Sequence, residues 1–258
     1  MPFLLATEPG DPERANEDVA AVTTNGAVLL DGASAPAGID IGCAHGVAWH
    51  TRRLAGLLLA GLLGTQTLRT VLSQAITTMA DLHGPDCDLA NQEFPSATVV
   101  MVRLVGAELH HLVLSDSLLL IQHTNATVST IADTRLDDLK TELERDGSGN
   151  RPSVRTLRNT PGGFWTAGVD ARAADEALTG SLPLTDVTGF AAMTDGATRG
   201  VELFGSQTWE DCYLLAAKNG PGALIDHVRD QEQRDADQQR YQRAKNHDDA
   251  TVVTWTHA

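Results

Sequence analysis

The stretch Gly189-Phe190-Ala191-Ala192-Met193-Thr194-Asp195-Gly196 decides how the rest of the chain reads. An apolar run of strand length ends in a hydroxyl, a carboxylate and a glycine. The same arrangement recurs. Leu29-Leu30 runs into Asp31-Gly32, Val113-Leu114 runs into Ser115-Asp116-Ser117, and Asp248-Asp249 opens into Ala250-Thr251-Val252-Val253. Taken singly, Asp-Gly after a strand is a turn, with Asp bonding its own backbone and Gly taking positive φ. Taken together, strand ends of one sheet system gather their carboxylates into one cluster. Clustered carboxylates repel, so they need a cation or shifted pKa values. Oxygen donors without His or Cys at the same positions favour a hard ion, Mg²⁺ or Mn²⁺. A further acidic site, Asn16-Glu17-Asp18, lies just before a strand and can join them.

The remaining elements fit around these strands. Asp18 to Val22 and Ala27 to Leu30 flank Asn25-Gly26, a hairpin signal. Ala97 to Leu104 and Glu108 to Leu114 form a second pair across Gly106, and Thr251 to Trp255 is a late strand. Apolar residues recur at helical spacing over Trp49 to Leu63 and Leu68 to Leu82, and Thr208 to Lys218 reads as another helix. Leu224 to Lys245 is helical in propensity but polar on most sides. It reads as a solvated helix or frayed insertion without a binding role. Asp146 to Pro161 is rich in Gly, Pro, Asn and Ser, and reads as an excursion within one domain.

Composition narrows the partners. The 258 residues carry 19 Lys and Arg against 34 Asp and Glu, a net charge of −15 that argues against nucleic acid or an anionic membrane surface. Aromatic residues are only 4%, so the core is aliphatic. The near-apolar run Leu54 to Gly64 is too short to span a bilayer, and Met1 to Asp11 has no signal-peptide pattern. The expected setting is cytoplasmic.

In their order and spacing, Arg14-Ala15-Asn16-Glu17-Asp18, Leu30-Asp31-Gly32, Ser96-Ala97-Thr98, Leu114-Ser115-Asp116-Ser117, Thr194-Asp195-Gly196 and Asp248-Asp249-Ala250-Thr251-Val252-Val253 resemble the metal-dependent type 2C protein phosphatases, the PPM family, in its bacterial form. The resemblance implies an α+β fold, a four-layer αββα sandwich of two antiparallel β-sheets flanked by helices. It also implies one domain over residues 1–258 with a variable flap at about 125–183. The implied activity is hydrolysis of phosphoserine or phosphothreonine on proteins by water activated between two Mn²⁺ or Mg²⁺ ions. Carried over by position, Asp31 bridges both ions and the Gly32 carbonyl holds one. Asp195 and Asp248 hold the other, Glu17 supports the second metal, and Asp18 orients the neighbourhood. Asp31, Asp195 and Asp248 are the catalytic candidates.

The chain departs from the family pattern in four places. Ala33 follows Asp31-Gly32, where animal members place a histidine. Arg199 follows Asp195-Gly196-Ala197-Thr198, where many members place an Asp for a third metal, leaving Asp116 as the candidate for that ion. Arg14, the phosphate-binding candidate, stands one residue closer to Glu17 than the family pattern, and Arg199 is the alternative. Arg151, Arg155 and Arg158 concentrate positive charge in the flap of an acidic chain. The altered loop after Asp31-Gly32, Arg199 and the shifted Arg14 motivate a second reading, a catalytically weak or inactive PPM-like domain that binds a phosphorylated partner. Outside this set, Gly42-Cys43-Ala44-His45, His50 and His83-Gly84-Pro85-Asp86-Cys87 match no zinc-finger spacing. They read as buried thiols and loop histidines in preference to a zinc site, with a Cys43–Cys87 disulfide disfavoured in a reducing compartment.

Overall fold

The computed structural model describes residues 2–33, 35, 36, 38–146 and 153–257. In chain order the strands and helices are β1 (Leu4–Glu8), β2 (Val19–Val22), β3 (Gly26–Leu30), α1 (Val47–Leu62), α2 (Leu68–Leu82), β4 (Val99–Val105), β5 (Glu108–Leu114), β6 (Leu118–His123), β7 (Val128–Ile131) and α3 (Arg135–Asp146). They continue with β8 (Leu178–Pro183), β9 (Val187–Met193), α4 (Asp195–Glu202), α5 (Trp209–Asn219), α6 (Pro221–Arg234) and β10 (Ala250–Thr256).

Two five-stranded antiparallel sheets form, ordered β1-β10-β9-β6-β7 and β2-β3-β4-β5-β8. Successive strand residues point to opposite faces, and here both faces are buried. Val28, Leu30, Val99, Met101, Leu112 and Leu114 pack under α1 and α2. Their neighbours Ala27, Leu29, Val100, Val102 and Val113 meet Leu119, Ile121, Phe190, Ala192, Val253 and Trp255 of the other sheet. The outer face of that second sheet, through Leu118, Leu120, Ala191, Met193 and Val252, packs against buried residues of α4, α5 and α6. The layers are therefore α, β, β, α. Each fully buried Leu or Ile contributes roughly 1.5–3 kcal/mol, so the three sandwiched interfaces dominate stability. Leu54, Leu58 and Leu62, four residues apart on α1, are each 0–1% exposed.

Strand register gathers the acid-bearing ends. Val19 pairs with Leu30 and Val99 with Leu114 in one sheet. Leu118 and Val252 both pair with Met193 in the other. The crossing from β5 to β6 joins the two sheets at this same end, through Ser115-Asp116-Ser117. Ser115 turns there with φ +67°, a left-handed conformation that a non-glycine residue holds only where its surroundings enforce it. The enforcing contact is its amide, which donates to Asp133 Oδ2 at 3.1 Å.

Several sequence expectations change in detail. The helix expected over Leu224 to Lys245 ends at Arg234. The chain then folds back, held by Arg243 and Asp235 at 2.8 Å, so Lys245 sits on a loop. Leu224, Ile225 and Val228 bury one face of α6, which is therefore not merely a solvated helix. The range 125–183 contributes β7 and β8 to the two sheets, with α3 between them. Arg151 lies outside the described residues.

Candidate active site

A cavity of about 270 Å³ opens at the acid-bearing end of the sandwich. Asp31, Gly32, Asp116, Asp195 and Asp248 line it, with Thr98, Ser115 and Thr166 between them. Each acid arrives from a different strand end. Asp31 follows β3 and is held by its backbone: its amide donates to Thr98 Oγ1 at 3.2 Å, and its carbonyl accepts from the Thr98 amide at 2.9 Å. Thr98 Oγ1 in turn lies 2.5 Å from Ser117 Oγ, tying β4 to the sheet crossing. Asp195 is the first residue of α4. Asp248 precedes β10.

Gly32 is required by space and not by a turn. A Cβ there would lie 2.5 Å from Val47 Cγ1 and 2.8 Å from Glu17 Cβ. Gly32 bridges to Ala97 through its neighbours' hydrogen bonds, Ala33 N to Ser96 O and Thr98 N to Asp31 O, both at 2.9 Å. The Gly32 carbonyl is thus outside the bridge and available as a donor oxygen. Glu17 stands behind Gly32, half-buried.

Asp18 is 5% exposed. Its Oδ2 accepts from Thr194 Oγ1 at 2.8 Å, and its Oδ1 has no hydrogen-bond partner among the described residues. A buried carboxylate oxygen without a partner is costly, and a cation or a proton supplies what is missing. Desolvation, together with Asp195 and Asp249, raises the Asp18 pKa to about 7 despite the bonds from Thr194 and Thr251. Asp195 keeps solvent contact at the cavity mouth while protein crowds its other sides. That desolvation, with Asp248 and Asp116, also lifts its pKa to about 7. Desolvation and the charges of Asp195, Asp18, Asp116 and Asp248 push Asp31 well above the usual carboxylate range. Desolvation raises Asp116 too, with Lys140 opposing. The donor set is all oxygen and mutually repelling, from the buried Asp18 to Asp195 at the open side, and one atom lacks a partner. These residues fit a hard divalent cation.

Asp249, adjacent to Asp248, has a different role. It accepts the Gly10 amide at 2.8 Å and the Glu17 amide at 2.6 Å, clamping the loop before β2 onto the start of β10. That clamp sets the height of Glu17 and Asp18.

The cations are arranged differently from the sequence expectation. Arg14 is exposed and does not line the cavity. Arg199 lies behind Asp248, donating to Asp248 Oδ2 at 3.1 Å and to the buried carboxylate of Glu232. The cations that do line the cavity are Lys140, Arg155, Arg158 and Lys245. Arg155 is paired with Glu93, while Arg158 is 7% exposed and donates to Ser96 Oγ at 3.2 Å. Lys245 Nζ approaches Asp248 Oδ1 at 2.6 Å. Burial works against its charge, but the bond to Asp248 and the charges of Asp248, Asp195 and Asp31 outweigh it and raise its pKa. Lys245 thus stands at the cavity, although its segment reads in the sequence as having no binding role. Lys140 and Lys245 carry no sequence signal of their own, since only the fold of α3 and of the loop after α6 brings them to the acids.

Comparison with known proteins gives the fold a context. No protein-family model matches the sequence, and no curated protein matches it. Solved structures do match. The serine/threonine phosphatase Stp1 from Staphylococcus aureus superposes with TM-score 0.60 at 14% identity, over 99% of this chain and 94% of that one. The Mycobacterium tuberculosis serine/threonine phosphatase PstP/Ppp gives TM-score 0.60 at 16% identity, over 98% and 97%. PppA from Pseudomonas aeruginosa, a regulatory component of the T6SS, gives 0.58 at 15% identity, over 98% and 96%. The chain has the fold of the bacterial PPM-type serine/threonine phosphatases over nearly its whole length.

Proposed function

We propose that the chain is a PPM-type phosphatase that hydrolyses phosphoserine or phosphothreonine on proteins, using two divalent ions, Mn²⁺ or Mg²⁺. The observation that carries this reading is the gathering of Asp18, Asp31, Asp116, Asp195 and Asp248 at one end of a phosphatase fold, with the buried Asp18 Oδ1 unpartnered. The ions, when bound, activate water as a nucleophile at neutral pH and neutralise charge on the phosphoryl oxygens.

The chain's own residues supply the rest. Asp31, the Gly32 carbonyl, Asp195 and Asp248 would hold the ions, with Glu17 and Asp18 in support and Asp116 for a third. Asp18 orients the end of β9 by accepting from Thr194 Oγ1, whose oxygen also accepts the Thr251 amide at 2.9 Å. Arg155 is the proposed phosphate ligand, because a guanidinium matches phosphate oxygens in planar pairs and it enters the cavity from the flap. Lys140 and Arg158 add positive potential, drawing an anionic substrate toward an otherwise acidic protein. A phosphorylated protein is the proposed substrate, and a cytoplasmic setting goes with it. Among the described residues no helix is long and apolar enough to cross a membrane.

The engagement of both Asp248 oxygens, by Lys245 and Arg199, favours a second reading. Lys245 competes with a cation for Asp248, and the product is a weakly active domain that binds a phosphorylated partner. Hydrolysis of a phosphothreonine peptide in EDTA, Mg²⁺ and Mn²⁺, with Asp195→Asn beside the native chain, separates the two. The phosphatase reading expects metal-dependent turnover that the variant loses. Tight peptide binding without turnover in excess Mn²⁺ would overturn it in favour of the second.

A further inference from the structure

A second group of ligand atoms lies outside the carboxylate cavity and is not used by the reading above. Cys43 Sγ, His45 Nδ1, His83 Nδ1 and Cys87 Sγ all lie within 4.8 Å of one another. They come from two loops, one entering α1 and one leaving α2. The sulfurs are 3.7 Å apart. Cys43 Sγ lies 3.5 Å from His83 Nδ1 and 3.8 Å from His45 Nδ1, and Cys87 Sγ lies 3.5 Å from His45 Nδ1. Tetrahedral zinc, with bonds of about 2.3 Å to sulfur and 2.0–2.1 Å to nitrogen, sets S···S at about 3.8 Å and S···N at about 3.6 Å. Four of the six separations match the edges of that tetrahedron, and the other two lie within 4.8 Å. A disulfide requires the sulfurs at about 2.05 Å, which they are not.

Three further features show a built site. The two loops are fastened to each other by backbone and side-chain bonds beside the ligands: the Asp88 amide donates to Gly42 O at 2.7 Å, and Asn91 Nδ2 donates to Asp40 O at 3.2 Å. Gly42 and Gly84, each next to a ligand, take φ of +64° and +65°, so the chain turns sharply enough to aim both side chains inward. Desolvation raises the Cys43 pKa, and the His45 amide, donating to Cys43 Sγ at 3.4 Å, works against it in favour of the thiolate.

The histidine behind the cluster is ordered for ligation. His50 is fully buried, and its Nε2 faces the Ala167 carbonyl at 2.9 Å. A carbonyl only accepts, so that nitrogen carries the proton. In neutral His50, Nδ1 is then an acceptor, and it faces His83 Nε2 at 3.4 Å. His83 must donate from Nε2, which leaves the lone pair of its Nδ1 aimed at the cluster. Metal-bound histidines are oriented in this way, by a partner on the other ring nitrogen. Trp49, stacked on His45 with centroids 4.1 Å apart, and Phe94, edge-on to His83 at 4.7 Å, wall the site with apolar surface.

We infer that Cys43, His45, His83 and Cys87 form a structural zinc(II) site that fastens the loop before α1 to the loop after α2. Binding takes two thiolates and two neutral imidazoles, and the thiol protons pass to solvent. Four protein ligands close the coordination sphere, so the site is structural and holds no open position. The His83–His50–Ala167 bonds end on the Ala167–Ala97–Gly32 bridges, so the site also braces the floor of the carboxylate cavity. The inference does not depend on the phosphatase reading.

The test uses the full chain purified under reducing conditions with no added metal. Elemental analysis is expected to give one equivalent of zinc. Replacing zinc by Co²⁺ is expected to give thiolate-to-cobalt charge-transfer absorption and strong tetrahedral d–d bands, which an all-oxygen site cannot produce. In Cys43→Ser and Cys87→Ser this zinc falls below about a tenth of an equivalent and the charge transfer weakens, while Cys212→Ala leaves both unchanged. If the cysteine variants do not fold, the cobalt spectrum of the native chain decides alone. Weak octahedral bands without charge transfer, or a Cys43–Cys87 disulfide in the purified chain, would overturn the inference.

Discussion

The carboxylate cavity and the thiol–imidazole cluster are both groups of potential metal ligands, built on opposite lines. The first draws hard oxygen atoms from the ends of β3, β5, β9 and β10, where the sandwich backbone leaves little freedom. Its members repel one another, and cations of the chain itself crowd in to compensate. The second draws soft sulfur and nitrogen from two loops, and aims them with glycine turns and the His83–His50 bond. Repulsion between carboxylates runs through the first, and the second contains no carboxylate. An electrostatically frustrated site suits ions that exchange and take part in chemistry, whereas a satisfied one suits an ion that stays.

The sharpest way to break this contrast is to disable each site separately. Asp195→Asn is expected to cut metal-dependent phosphopeptide turnover by ~10³-fold, since a catalytic ion supplies several kcal/mol and ~1.4 kcal/mol is tenfold. The zinc content of that variant should stay at one equivalent. Cys43→Ser should do the reverse, removing zinc and lowering Tm while kcat changes by no more than about threefold. If either variant empties both sites, the two are one cooperative unit and the contrast fails.

Next in size is the phosphate contact. Arg155→Gln should raise KM for a phosphothreonine peptide about tenfold with little change in kcat, the loss expected of a charge-assisted pair. Steady-state kinetics over a range of peptide concentrations reads this directly. A fall in kcat at constant KM would move Arg155 from binding to the transition state.

Smaller still is the competition at Asp248. Lys245 is half-exposed, so its pairing is worth at most about 1 kcal/mol. Lys245→Gln should lower the Mn²⁺ concentration for half-maximal activity by up to about fivefold. No change would mean that Lys245 and the ion share Asp248 without conflict.

The last difference is in pH. Burial lifts the Asp18 carboxyl from the ordinary 3.8 of an aspartate to about 7 in the folded chain. A carboxyl raised on folding stabilises fully below its unfolded pKa, and that contribution is lost as pH rises through the folded value. In EDTA, Tm should therefore fall by a few degrees between pH 5 and pH 8, and excess Mn²⁺ should suppress the fall. The zinc cluster moves the opposite way, because protons compete for thiolate and imidazole and metal release belongs at low pH. Thermal melts across pH, with and without Mn²⁺, check both signs.

The two sites also differ in how far the sequence reveals them. The acids are legible because each flanks an apolar run, and their order matches a known pattern. The strands that escape notice are those with little pattern to show. β1, β7 and β8 lie at sheet edges and are largely exposed. β6 is apolar, but the turn before it rests on Ser115, a residue that does not announce positive φ. The Asp-Gly of Asp195-Gly196 reads as a turn and instead opens α4. Arg199 sits where its number suggests, beside the acids, yet Glu232 on α6 draws it behind Asp248. The thiol–imidazole cluster is the least legible. Its halves are about 40 residues apart in two loops, and only the packing of α1 against α2 brings Cys43 and Cys87 together.

The central claim is that the strand-end carboxylates hold divalent ions. Anomalous diffraction from a Mn²⁺-loaded crystal, collected on either side of the manganese edge, tests it most directly. The account predicts manganese peaks among Asp31, the Gly32 carbonyl, Asp195 and Asp248, absent in Asp195→Asn. A native chain with no manganese at these residues, and Lys245 still bound to Asp248, would contradict it.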